Sequence, residues 1–520
     1  MKNKKNHNFS MNAKYHRFKH KIKNKNKNKK KNINNNSSEQ KVITNIFTKA
    51  EEKNSFGKPS PKKFNFKRKN KLYLPKKIKN RFHKNTKHSK AKKISNAYKY
   101  FFIFILFLLY LIIFIYYERY DLIIGSIKVG FYANSIRFGG VERVMALLIN
   151  LLSTEKYINV YLITYELKSE EEYTTPNKTK RICLYGQNKT VFNIIEEEKL
   201  DIIVYNFYSR NEIQKLNSLT KTKAIMYDHS SFLLWIFLKK FNFYKTPYPY
   251  YKNSKYVISL IPVENDYLFK KWGINSILMD NPTTFDYDSV IPSDLSSKII
   301  IMIGRIEDPV KRYDLGIRAM PNIIQEIPDC QMKIISSKNN KYKNLIRSLR
   351  LEDKVKFTRF QKDVQIYLKN ASLHIFPSIS ECYPMVLGEA KIIGIPTILC
   401  GLDFLALAKG GTVIIYDDNP DTIAKEAIKI LKDETYRKQL GKEARESMKN
   451  HKNKIIKEKW IKLILSIYKG DNKSYSKLNS HKIMTEDEAN IILENQLMLL
   501  RRRYHGFHRV TLEKLKNYSF

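Results

Sequence analysis

The chain has 520 residues, enough for two or three domains, and a formal net charge of +47. The charge is concentrated in residues 1–96, which hold 32 Lys and Arg against 3 Asp and Glu. The four cysteines show no CxxC spacing and no neighbouring His cluster, which argues against a disulfide framework and against a Cys/His metal site.

Residues 1–96 are predicted to form a disordered tail. They are rich in Lys and Asn and poor in periodic apolar positions, so they cannot bury enough apolar surface to offset the entropy of ordering. Two interpretations of the charge stay open: a solvated tail, or a segment attracted to anionic lipid headgroups or nucleic acid.

Residues 97–118 are predicted to be a transmembrane helix. Residues 101–117, FFIFILFLLYLIIFIYY, include no charged side chain, and with the flanking tyrosines they approach the roughly 20 residues that cross a bilayer. The basic tail precedes this run and acidic residues follow it. By the positive-inside rule we expect a single-pass type II membrane protein with a cytoplasmic N-terminus. The following domains would face an ER- or Golgi-like lumen in a eukaryote, or lie at the cell membrane otherwise.

From residue 127 onward, strand and helix patterns alternate. The predicted strands are 127–132, 159–164, 202–205, 223–227, 256–261, 298–303, 332–335, 354–357, 373–376, 397–399 and 412–415. The predicted helices are 141–152, 196–200, 212–219 and 455–468, and residues 280–297 are predicted to be a linker.

The alternation predicts an α/β fold with two facing Rossmann-like, doubly wound domains, 119–283 and 284–468. An extension, 469–520, follows them with one more predicted helix, 486–501. Ligands of such sheets bind at the carboxyl ends of the strands, and two facing sheets form a cleft.

The strand, loop and helix of residues 371–394 predict an anion site. A buried strand ends before Pro377, and a helix begins near Pro384, so free N–H groups and the positive end of the helix dipole point at a ligand. Glu381 and Glu389 flank this turn. A ligand with both phosphate and hydroxyl groups would suit this combination, because carboxylates accept hydrogen bonds from sugar hydroxyls.

A second candidate anion site follows strand 298–303. Gly304 ends the strand, and Arg305 and Lys311 emerge from the next loop, where they could neutralise a diphosphate. Taken alone, this pattern is explained better by a solvated basic loop.

Together these motifs resemble family 4 of the retaining, nucleotide-sugar-dependent glycosyltransferases, the glycosyl transferases group 1. The resemblance covers roughly residues 127–468. It depends on the E-x7-E pair Glu381 and Glu389, and on further motifs that match those of the family: Gly304-Arg305, Lys311-Arg312, Gly139-Gly140-Val141-Glu142-Arg143, Asp228-His229 and Asn281-Pro282.

The resemblance implies the two-domain fold called GT-B and a set of roles for these residues. Arg305 and Lys311, beside Gly304, would hold the donor diphosphate. Glu381 would contact the hydroxyls of the transferred sugar, and Glu389 would contact the nucleotide ribose. The remaining implied site residues are the backbone N–H groups of Met385, Val386 and Leu387 for phosphate, Gly139 and Gly140 for close approach to phosphate or acceptor, and His229 near the transferred sugar.

The implied reaction moves a sugar from a nucleotide sugar to a glycan or lipid-linked acceptor with retention of configuration, and Glu381 and His229 are the candidate catalytic residues. It requires no metal or other cofactor, and no nucleic acid partner is expected. Two positions depart from the family pattern. Arg359 stands where a glycine often packs against the base, and Cys382-Tyr383 stands where Gly and Phe are more frequent.

Alternative functions remain open from the sequence. A nucleotide-sugar epimerase or a sugar phosphorylase would use the same fold. In a non-catalytic membrane scaffold, the basic tail would instead be the functional part.

Overall fold

The structure, a computed structural model, describes residues 99–112, 125–137, 139–206, 210–229, 251–336, 340–359, 363–478, 485 and 499. The predicted tail 1–96, the end of the predicted span at 113–118 and nearly all of the predicted helix 486–501 lie outside these residues. Residues 99–112 are helical, and their large apolar side chains are exposed. Within the described part of the chain, no helix is both long and apolar enough to cross a membrane.

The first sheet has seven strands, all parallel, in the order β3-β2-β1-β4-β5-β6-β7. Its central strands are almost wholly buried, as expected when helices cover both faces of a parallel sheet. The strands are β1 Ile127–Ala133, β2 Ile158–Thr164, β3 Lys180–Cys183, β4 Ile202–Tyr205, β5 Lys223–Tyr227, β6 Tyr256–Ser259 and β7 Ser276–Leu278.

Among the described residues, four helices lie between these strands: α1 Gly140–Leu152, α2 Val191–Glu197, α3 Arg210–Asn217 and α4 Pro262–Trp272. Helix α1 buries an apolar face that includes Val144, Leu148 and Leu152. Helix α2 begins at a capping box in which the Thr190 and Asn193 side chains each accept from the other's backbone N–H.

The second sheet has six parallel strands in the order β10-β9-β8-β11-β12-β13. The strands are β8 Ile299–Ile303, β9 Gln331–Ser336, β10 Val355–Arg359, β11 Leu373–Phe376, β12 Thr397–Cys400 and β13 Thr412–Ile415. The helices are α5 Tyr313–Glu326, α6 Lys343–Ser348, α7 Gln365–Lys369, α8 Met385–Ile392, α9 Pro420–Lys432, α10 Glu434–Ser447, α11 Asn453–Lys469 and α12 Asn472–Leu478.

Helix α11 follows the second sheet in the chain but packs on elements of the first. The Lys457 ammonium lies 2.5 Å from the Glu155 carboxylate, just beyond α1. The Trp460 ring meets the Tyr227 ring of β5 edge-on at 5.4 Å between centroids. The two sheets are therefore joined both by the segment after β7 and by this returning helix.

The two-sheet parallel α/β architecture predicted from the alternation is present. Several elements differ from prediction. Strands β3 and β7 and helix α4 were not predicted, and the helix predicted at 196–200 lies instead at Val191–Glu197. The start of α2 follows Thr190, whose capping box sets the helix five residues earlier than the apolar pattern suggests.

Candidate functional site

The carboxyl ends of both sheets open into one cleft of about 860 Å³. It is bordered by the loop before α1, the end of β5, the loop after β8, and the turn between β11 and α8. The predicted site residues that line it are Gly139, Gly140, His229, Gly304, Arg305, Lys311, Glu381, Met385, Val386 and Glu389. The cleft thus brings together every predicted site residue except Leu387.

The loop after β8 presents two cations to the cleft. Gly304 has a φ of +150°, and a Cβ there would lie 3.1 Å from the Tyr313 hydroxyl, so glycine suits the turn. The Arg305 side chain is 70 % exposed, and its nearest ion partner is Asp308 at 3.9 Å. It is therefore accessible to an anionic ligand. Lys311 instead points across the loop to the turn before α8.

The turn before α8 holds Glu381 against that lysine. The Lys311 Nζ donates to Glu381 Oε1 at 2.5 Å, and the Ser378 hydroxyl donates to the same oxygen at 2.6 Å. One carboxylate oxygen is thereby fixed by two donors. The cation predicted for the diphosphate and the carboxylate predicted for the sugar are neighbours.

Helix α8 begins after Pro384, as predicted. Met385 and Val386 line the cleft, whereas the Leu387 side chain is fully buried in the core. The Leu387 N–H already donates to the Pro384 carbonyl at 3.1 Å. That amide is used within the first turn, and the phosphate contact at Leu387 stays a prediction.

Glu389 is the most buried acid of the cleft. Its Oε1 accepts from Arg143 Nη1 at 2.5 Å and from the Thr284 hydroxyl at 2.6 Å, and its side chain is 1 % exposed. Its Oε2 is buried and accepts no hydrogen bond from the residues that the structure describes. A carboxylate oxygen in this state favours a hydroxyl donor from a ligand.

The loop before α1 lies opposite α8. A Cβ on Gly140 would come within 4.0 Å of Met385, and a Cβ on Gly139 would collide with the Glu142 carboxylate at 1.8 Å. The backbone of this loop therefore approaches the start of α8 closely. Burial raises the pKa of Glu142, although the nearby Arg305 acts in the opposite direction.

His229 follows β5 on the far side of the cleft. Its Nε2 lies 3.1 Å from Asn206 Oδ1, an acceptor, so Nε2 holds the proton and Nδ1 is an acceptor. The imidazole packs on the Tyr227 ring at 4.1 Å between centroids. Desolvation lowers the pKa of His229 to about 3, so the ring is neutral at ordinary pH.

Several cleft contacts were not predicted. Arg143 appears in the Gly-Gly-x-Glu-Arg motif, but its partner Glu389 is 246 positions away. Tyr383 also lines the cleft, and its hydroxyl lies 3.2 Å from His451 Nδ1, which in turn lies 3.2 Å from Asp280. The two positions that depart from the family, Arg359 and Cys382-Tyr383, both line the cleft.

Comparison with known proteins gives a consistent result. Residues 285–447 match the family model of the glycosyl transferases group 1. An uncharacterized glycosyltransferase of Haemophilus influenzae is 24% identical over 307 residues, which is 52% of this chain and 80% of the relative. A Campylobacter jejuni enzyme, named as an alpha-1,4-N-acetyl-D-galactosaminyltransferase acting on a diNAcBac-PP-undecaprenol-linked glycan, is 22% identical over 368 residues, 66% of this chain and 99% of the relative.

Among solved structures, a sucrose-phosphate synthase from Thermosynechococcus elongatus superposes with a TM-score of 0.55 at 16% identity, covering 66% of this chain and 100% of that one. The Anabaena Alr3699/HepE complex with UDP and glucose gives a TM-score of 0.53 at 14% identity, with the same coverage. These likenesses show the fold. The matched family model places residues 285–447 in the glycosyl transferases group 1, a family of glycosyltransferases, and the solved structures show that the chain has the GT-B fold.

Proposed function

We propose that the protein moves a sugar from a nucleoside diphosphate sugar to a glycan or lipid-linked acceptor, with retention of anomeric configuration. The observation that supports this best is the meeting of Arg305, Lys311, Glu381 and Glu389 in one cleft. Two cations suit a diphosphate, and two carboxylates suit the hydroxyls of the sugars on either side of it.

The diphosphate would bind between Arg305, Lys311 and the first-turn amides of α8. Lys311 is paired with Glu381 in the structure. A bound diphosphate would draw the ammonium toward itself and release Glu381 Oε1 for a hydroxyl of the transferred sugar. Glu389 Oε2 would accept from the ribose.

The donor and acceptor classes are suggested by relatives. The Alr3699/HepE structures hold UDP with glucose and UDP-glucose, which favours a UDP-sugar donor here. The Campylobacter jejuni relative is named for an undecaprenol-linked acceptor, which favours a lipid-linked acceptor.

Retention follows from attack on the same face as the leaving group. The bond from the anomeric carbon to the diphosphate oxygen breaks, the acceptor oxygen bonds to that carbon, and the acceptor proton passes to the departing diphosphate. The protein stabilises the developing charge through Arg305 and Lys311 and orients the sugar through Glu381 and neutral His229.

The proposed enzyme is anchored by residues 97–118 in the type II orientation. The supporting observation is the uncharged run 101–117, whose described portion exposes large apolar side chains. Exposed apolar surface of this extent is typical of segments that contact lipid or another protein.

Three substitutions test the proposal: Glu381→Gln, Arg305→Ala and Lys311→Ala. Each should lower donor turnover by roughly 10²-fold or more, because each removes a charge aimed at the reacting groups. Release of nucleotide from UDP-, GDP- and ADP-sugars would be measured on the full chain in detergent. Lys356→Ala, an exposed cation paired with Asp353, serves as the control. Full activity in all three site variants would refute the proposal.

A further inference from the structure

The ion pair between Arg143 and Glu389 joins the two sheets across the cleft. Arg143 belongs to α1, beside the first sheet, and Glu389 belongs to α8, beside the second. Their atoms Nη1 and Oε1 lie 2.5 Å apart, and the side chains are 9 % and 1 % exposed. A buried ion pair contributes little net stability compared with apolar packing, so its presence at the site calls for a role in the reaction.

The arrangement around Glu389 is asymmetric. Arg143 and Thr284 both donate to Oε1. The buried Oε2 accepts no hydrogen bond from any described residue, although Glu389 lines the cleft. Leaving a buried carboxylate oxygen without a donor costs free energy, which binding of a ligand hydroxyl would recover.

Arg143 is itself held in place from the first-sheet side. Its guanidinium lies 5.2 Å from the centre of the Tyr173 ring, and both side chains line the cleft. Burial, the largest single effect, lowers the pKa of Arg143, but the interactions with Glu389 and Tyr173 together outweigh it and raise the pKa. The guanidinium therefore remains a fixed cation beside the carboxylate.

We propose that Arg143 is a positioning residue for nucleotide recognition: by engaging Oε1 it keeps the Glu389 carboxylate oriented, with Oε2 left to accept from a ribose hydroxyl. The inference depends on the ribose contact proposed above for Glu389. It adds that a residue of the first domain determines whether the second domain distinguishes a ribonucleotide from its deoxy forms.

The experiment measures binding of UDP, GDP and ADP to the full chain by calorimetry, followed by the 2′-deoxy and 3′-deoxy forms of the diphosphate that binds best. The variants are Arg143→Gln, Arg143→Lys and Glu389→Gln. Arg137→Gln, which breaks a half-exposed ion pair with Glu166 at the rim of the same sheet, is the matched control. Melting midpoints check that each variant folds.

The expected wild-type preference for the ribonucleotide over one deoxy form is roughly tenfold or more, the effect of one hydrogen bond to a charged group. Arg143→Gln and Glu389→Gln should reduce this preference to near unity by weakening ribonucleotide binding alone, and Arg143→Lys should restore part of it. The control should keep the full preference. If Arg143→Gln does not fold, Arg143→Lys decides the question. Its preference for the ribonucleotide should then lie between the preferences of the wild type and of Glu389→Gln.

Two failures are distinguishable. If the wild type binds none of the three diphosphates, or if Glu389→Gln keeps the full preference, the ribose contact proposed for Glu389 is wrong and the inference falls with it. If Glu389→Gln loses the preference but the Arg143 variants keep it, Glu389 acts without Arg143, and only the inference is overturned.

Discussion

A neutral imidazole at His229 limits how this residue can take part in transfer. With Nε2 directed at Asn206, Nδ1 can accept a hydrogen bond from a sugar hydroxyl but has no proton to give. Its pKa of about 3 places protonation far below the ordinary value near 6.5. In the proposed reaction, the ring would therefore act as an acceptor that orients the sugar.

This assignment predicts the pH profile of His229→Gln. Transfer should fall by up to about tenfold, the effect of one neutral hydrogen bond. Because the folded pKa is lowered, the wild-type ring stays neutral as pH falls through 6.5, and the ratio of wild-type to variant rates should stay constant between pH 5 and 8. The measurement is kcat/KM for donor turnover across that range. If kcat/KM of the wild type changes with pH near 6.5 and that of the variant does not, His229 titrates in this range and the prediction is wrong.

Individual site residues differ in how far sequence could identify them. Arg305, Lys311 and Glu381 were identified because charge type and placement after a strand agree with a short motif. The ion pair between Arg143 and Glu389 could not be predicted from the sequence. The two residues are 246 positions apart, and their contact depends on how the two sheets face each other. The first-turn hydrogen bond from the Leu387 N–H to the Pro384 carbonyl is a further contact that the sequence does not reveal.

At the scale of elements, the loop between β12 and β13 is fixed against α10 by two glycines. Gly411 has a φ of +64°, and a Cβ there would lie 2.3 Å from the Leu440 carbonyl and 2.4 Å from the Ala444 Cβ. Backbone atoms cannot move aside as a flexible side chain can. The loop can approach α10 this closely only with glycine.

Gly411→Ala should therefore lower stability by roughly 2 kcal/mol or more, the sum of left-handed backbone strain and overpacking. Gly186→Ala is a matched control, since Gly186 has a φ of +73° and nothing within 4 Å of its Cβ position. It should cost only the strain, about 1 kcal/mol. Midpoints of thermal or urea unfolding compare the two. Equal losses would show that contact with α10 does not matter.

Sequence prediction gave the right bounds for strands whose apolar pattern reflects their burial, and it missed strands that are exposed or very short. Strands β4, β11 and β13 have the predicted bounds, and β4 and β11 are buried along their whole length. Strand β3, with sequence KRIC, lies at a sheet edge and is half exposed, and β7 has only three residues. Strand β3 lacks an apolar run and β7 is too short for a periodic pattern, so periodicity reveals neither.

At the scale of the molecule, α11 ties the end of the second sheet to the first. Asn453, at its start, accepts from the Thr283 N–H at 2.8 Å and donates to the Thr283 carbonyl at 2.9 Å. This reciprocal pair holds the segment after β7 against the returning helix. The amphipathic pattern of 455–468 predicted the helix, but its packing partner depends on the path of the whole chain.

The proposed type II orientation can be tested through the five Asn-x-Ser/Thr triplets after residue 118, at Asn177, Asn188, Asn370, Asn472 and Asn517. The four of these asparagines that the structure describes, at 177, 188, 370 and 472, are exposed, so a glycosylation enzyme could reach them if the domains are translocated. Synthesis of the full chain with ER microsomes should then give a mobility shift that endoglycosidase removes, and protease should spare the part after residue 118. The variant with all five asparagines changed to Gln should lose the shift and keep the protection. An unshifted chain whose domains are digested in intact microsomes would show that they stay on the cytoplasmic side, against the charge asymmetry around residues 97–118.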